Sequence, residues 1–88
     1  MNKEYEKQKA KEMLDLINRY EESEEKRELN EKLYNISDEL YNKNREKLSQ
    51  QMIDVSLAVF SFTQAAMSGG PLQPLDEFIP DLKDIIYG

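Results

Sequence analysis

The side chains with a capacity for chemistry in this chain are its carboxylates. Across 88 residues there are 18 Asp and Glu against 12 Lys and Arg, with no histidine and no cysteine. Lack of histidine removes the commonest general base, the commonest metal ligand and the usual sensor of near-neutral pH. Lack of cysteine removes thiolate nucleophiles, thiolate metal sites and disulfides. A Ser-centred nucleophile would have no imidazole to activate it.

Chemistry run by carboxylates alone, as in glycoside hydrolysis or in holding magnesium or calcium, needs acids converging in a cleft. The densest candidates are Asp76, Glu77, Asp81 and Asp84 near the C-terminus. They lack the alternating ligand spacing of a calcium loop, and they fit the acid bias at the start of a helix. Gly69-Gly70 has neither the lysine nor the strand-to-helix context of a phosphate-binding loop. The sequence therefore predicts no catalytic residue, no metal site and no cofactor.

The net charge of −6 disfavours the phosphate backbone as a partner, and no direct nucleic-acid binding is expected. Basic residues alternate with acids, as in "MNKEYEKQKAKE", which is the pattern of a solvated helix surface laced with ion pairs. The run "EESEE", Glu21 to Glu25, raises a second possibility. It is an acidic face of the kind a small phage-type inhibitor uses to occupy the basic channel of a nucleic-acid enzyme.

The N-terminus carries no apolar segment of a secretory signal. Val55 to Leu75 is uncharged, yet polar residues and Gly69-Gly70-Pro71 interrupt it too often for a membrane span. A cytoplasmic, membrane-free protein is expected.

What positions these side chains must be helical, because before Ser68 there is no glycine or proline and the apolar spacing is helical throughout. Met13, Leu16, Ile17 and Tyr20 form one stripe; Leu29, Leu33, Ile36 and Leu40 form another. In a single helix the second stripe would lie about 160° from Met13, so a turn is predicted within Glu21 to Glu25, with Ser23 as helix cap. The leucine stripe, if continued, would fall on Lys43, Lys47, Gln51 and Asp54. A new seam begins instead at Leu48 and runs through Met52, Val55, Val59, Phe62 and Ala66 with heptad spacing. One helix over 24–67 would be about 66 Å long, so a second break is expected near "NKNRE", with Asn42 or Asn44 capping the next helix.

The helix of that seam carries a second apolar stripe, Ile53, Leu57, Phe60 and Met67, about 150° away. Small or polar residues lie between the two: Ser49, Ser56 and Thr63 on one flank, Asp54, Ala58, Ser61 and Ala65 on the other. A helix apolar on two sides must be covered on two sides. Asp54, the one acid inside it, would be a specificity contact if partnered, with Arg45 or a partner's lysine as its counter-ion. Gly69-Gly70-Pro71 ends the helix. Beyond it Leu75, Phe78, Ile79, Leu82, Ile85 and Ile86 recur at helical spacing, with Pro80 tolerable in a first turn.

The predicted fold is all-α: a small antiparallel bundle over 1–68 with helices near 3–22, 24–42 and 45–67. A Gly/Pro hinge at 69–75 and a short amphipathic helix at 76–88 complete it. The predicted role is a non-enzymatic protein–protein interaction protein that binds a protein partner and its own copies through apolar helix faces. Candidate interface residues are Tyr34, Tyr41, Ile53, Asp54, Leu57, Phe60 and Met67. Phe78, Ile79, Leu82, Ile85 and Ile86 of the tail join them, with the tail expected to dock over the second stripe.

Overall fold

The computed structural model describes residues 3–20, 26–70 and 75–88. Four α-helices follow one another: α1 (Lys3–Tyr20), α2 (Lys26–Asp38), α3 (Gln50–Met67) and α4 (Ile79–Tyr87). No strand is present among the described residues. The turn expected within Glu21 to Glu25, with its Ser23 cap, and Pro71 of the predicted hinge lie outside them.

Each helix touches two others. α2 packs most extensively on α3 and α4 on α1, while α1 meets α2 and α3 meets α4 over smaller areas. This is a small helical bundle with a longest dimension of 36 Å and a radius of gyration of 12.2 Å. A continuous helix over 24–67 would exceed that dimension, and the chain does break where the seams change direction. α2 runs into a π-helical turn, Glu39–Lys43, followed by a 3-10 turn, Arg45–Lys47, and extended backbone at Leu48.

Neither Asn42 nor Asn44 caps the next helix. Ser49 does, with extended backbone and its Oγ accepting from the Met52 amide at 3.4 Å, so α3 starts at Gln50 rather than near 45. Asn44 serves the preceding turn instead, its Nδ2 donating to the Glu39 carbonyl at 2.9 Å. Side-chain amides of this kind satisfy carbonyls that a helix end leaves open.

The core is formed by Met13, Leu33, Leu40, Met52, Val59 and Leu82, with Ala10, Leu14, Ile17, Leu29 and Val55 around them. In α1 the buried face takes in Leu14, while Leu16 is only half-buried. The rotation follows from α1 having to face both α2 and α4.

The end of α3 explains the glycine pair. The Gly70 amide donates to the Ala65 carbonyl at 3.0 Å and the Gly69 amide to Ala66 at 3.4 Å, the two bonds of a Schellman cap. Gly69 has φ of +97°, and a Cβ on Gly70 would sit 2.7 Å from the Ala65 oxygen. Both positions therefore require glycine. A 3-10 turn, Asp76–Phe78, leads into α4 with Pro80 in its first turn, where its missing N–H costs nothing.

The tail does not dock over the second stripe of α3. It lies chiefly along α1, burying Leu75, Phe78, Leu82 and Ile85. Its link to α3 is Phe78, edge-on to Phe62 with centroids 5.5 Å apart. Phe62 belongs to the first seam, so the tail extends the core instead of opening a second one.

Candidate functional site

Two polar features fix how α3 is held. The first is Glu6 of α1, only 5% exposed. Its carboxylate accepts from the Ser49 hydroxyl at 2.6 Å and from the Ser49 amide at 3.1 Å. The residue that caps α3 is thus itself held by α1. A groove of about 210 Å³ opens beside it, lined by Lys3, Glu6, Lys7, Ser49 and Asp84 among others. Glu6 escaped sequence reasoning, although it stands in register with Ala10, Met13 and Ile17 at spacings of 4, 3 and 4. That was the available signal.

The second is the α2–α3 contact. Ser37 and Asn30 of α2 and Ser56 and Thr63 of α3 are buried, each pair seven residues apart. Their hydroxyl and amide donors all turn back on their own helices. Ser37 bonds the Tyr34 carbonyl, Ser56 that of Ile53, Thr63 that of Val59, and Asn30 that of Lys26. Small residues on both sides let the two helices approach closely. The Ser49, Ser56, Thr63 flank is therefore the one that turns inward.

The opposite flank is left open. Leu57, Ala58, Ser61, Gln64, Ala65, Met67 and Ser68 are all exposed and uncharged. Leu57 is 39% and Met67 41% exposed. Of the nine exposed positions between Lys3 and Arg19 on α1, seven are charged; of the nine on α3, only Asp54 is. The outer face of α3 lacks the ion-pair lacing that covers α1.

Along the α2 edge of this face runs an aromatic ladder. Tyr34 stacks on Phe60 with centroids 5.1 Å apart, Tyr41 follows at 6.4 Å, and the Arg45 guanidinium lies 4.6 Å over the Tyr41 ring. Tyr34, Tyr41, Ile53 and Phe60 are half-buried. Along the α4 edge, Asp54 and Ala58 border a groove of about 220 Å³ with Asp81. Asp54 is exposed and accepts from Gln50 of its own helix at 2.9 Å. Arg45 stands on the other edge of α3, and the two make no pair within the chain.

The candidate residues thus divide. Phe78, Leu82 and Ile85 are buried in the chain's own core, with Ile79 and Ile86 half-buried against it. Tyr34, Tyr41, Ile53, Asp54, Leu57, Phe60 and Met67 gather along α3 and its α2 edge. A separate cluster joins α1 to the π-turn. Glu39 accepts from Lys9 at 3.3 Å and from Tyr5 at 3.5 Å, and Lys9 also pairs with Glu12 at 3.4 Å. Burial, then the Glu39 charge, push the Tyr5 phenol above its usual pKa, against the opposing effect of Lys9. Burial pulls Lys9 down, but the Glu39 hydrogen bond and the charges of Glu12 and Glu39 outweigh it, and its pKa is raised.

Among the described residues no group of three or more carboxylates stands close enough to hold a metal ion, and no helix is long and apolar enough to cross a membrane. Comparison with protein-family models, curated proteins and solved structures returned no match for this chain.

Proposed function

We propose that this chain is a non-enzymatic interaction protein that docks a protein surface on the outer face of α3 and its tyrosine edge. One observation carries the reading. A helix in a chain that is 34% charged exposes Leu57, Met67 and a run of small neutral residues with a single acid among them. Exposed large apolar side chains gathered on one face mark contact sites more often than scattered ones do. The neighbouring Tyr34, Tyr41, Phe60 and Arg45 are the residue types that dominate binding hot spots.

The test is capture from a lysate of the native host on immobilised protein, comparing wild type with Leu57→Lys, Ser61→Lys and, as a control on α1, Lys11→Glu. Both α3 variants should lose the captured protein and the control should keep it, with little loss on washing at high salt. Capture that survives both α3 variants would overturn the reading. Capture lost steeply with salt and insensitive to Leu57→Lys would instead mark an acidic, charge-mimicking inhibitor.

A further inference from the structure

We propose that the occupant of this face is a second copy of the same chain, its α3 antiparallel to the first and the two-fold axis passing beside Ser61. The inference rests on the reading of α3 as the docking surface and adds the partner and its orientation.

Charge decides the partner. Two molecules of net −6 repel over most of their surfaces, and the stretch from Leu57 to Ser68 is where they meet without facing carboxylates. Charge also decides the orientation. Packed helices lie about 8–10 Å apart, so a parallel pair would set the two Asp54 side chains opposite one another. Antiparallel about Ser61, the two stand about 21 Å apart along the helices, more than two screening lengths of about 8 Å.

That register is complementary in shape and polarity. Asp54 falls opposite the Ser68 hydroxyl, a donor for its carboxylate, and Leu57 falls opposite Ala65, large against small. Ser61 meets its own copy at the crossing, where a small side chain permits close approach. The molecule already packs this way once, since Ser56 and Thr63, seven apart on the opposite flank, are the small residues on which α2 lies.

Size sets the strength. A standard interface buries about 800 Å² per partner, about one-seventh of the 5585 Å² surface of this chain. One helix face and its tyrosine edge supply less, which places the dimer in the weak class, with dissociation constants of about 10–100 μM.

The chain has no cysteine, so single-cysteine variants report orientation without background. Under mild oxidation at about ten times the upper end of that range, Ser61→Cys should cross-link to itself. Ser68→Cys alone should not, but mixed with Asp54→Cys it should give the heterodimer. Sedimentation of the wild type should show reversible dimerisation that tightens as salt rises, and Ser61→Arg should weaken it at least tenfold. Self-cross-linking of Ser68→Cys would overturn the antiparallel arrangement. A wild type that stays monomeric would overturn the second copy as occupant, while α3-dependent capture of another protein would leave the docking surface itself standing.

Discussion

Replacing Glu6 by alanine should be among the most damaging single changes on the outer half of α1, although it removes one acid from a chain rich in them. The carboxylate is 5% exposed and accepts two hydrogen bonds from Ser49. Hydrogen bonds to a charged group are worth about 1.5–3 kcal/mol each, which gives an upper figure of about 3–6 kcal/mol. Ser49 is half-buried beside an open groove, so water can reach the freed donors, and about 2–3 kcal/mol is expected. For a domain of this size that lowers the melting temperature by about 10–20 °C. Glu6→Gln keeps one acceptor and turns an amide donor toward Ser49, and should lose about half as much. Circular dichroism melts of Glu6→Ala, Ser49→Ala and the double variant would measure the coupling between the two residues, expected at about 1–2 kcal/mol. Glu4→Ala, on the exposed face, should stay within about 0.5 kcal/mol of wild type. A Glu6→Ala protein melting within about 2 °C of the parent, or effects that simply add, would refute the role assigned to this joint.

Two further outcomes follow from polar groups inside the bundle. Tyr5 and Lys9 both have raised pKa values in the fold, so the stability they supply is intact below their unfolded values, about 10 and 10.4. It is lost as pH rises through the higher folded values. Melts across the alkaline range should fall less steeply in Tyr5→Phe/Lys9→Met than in wild type, and an unchanged alkaline limb would count against the cluster at Glu39. Asn30 Oδ1 is buried with no hydrogen-bond partner, and the Lys26 carbonyl that its amide bonds also lies in reach of the helix ladder. Asn30→Leu should therefore raise stability by about 1 kcal/mol, read as a higher melting temperature; a lower one would show that the amide has work to do.

The elements themselves were legible because each rests on local spacing. The change of direction between the Leu29–Leu40 stripe and the Leu48–Ala66 seam located the break before α3, and Gly69-Gly70 located its end. Partner choice was not legible. Ser56 and Thr63 on one flank of α3 and Ala58 and Ala65 on the other share a period of seven, and nothing in α3 alone says which flank turns inward. That was decided by α2, which brings its own small pair, Asn30 and Ser37. The tail offered the same ambiguity: its apolar stripe fits any apolar groove, and α1 presented the better one. Glu6 looked like one more charge in "EYEKQKAKE", since a bond to Ser49 spans 43 positions and leaves only a faint mark in periodicity. The π-turn at Glu39–Lys43 left no pattern that spacing could reveal.

The inward-turned hydroxyls between α2 and α3 have a thermal consequence. Parting these two helices breaks no hydrogen bond between the four buried polar side chains, because each donor is already spent on its own backbone. What separation exposes at that seam is hydrocarbon and aromatic surface, whose hydration near room temperature carries little enthalpy and a large positive heat capacity. The Glu6–Ser49 joint is the opposite, a pair of strong bonds with little surface behind them. Cooling therefore loosens the α2–α3 seam while leaving the α1–α3 joint tight, and warming from the cold first strengthens the seam. The two ends of α3 are held by forces with different temperature coefficients, and amide hydrogen exchange near freezing should open α2 before it frees the first turn of α3.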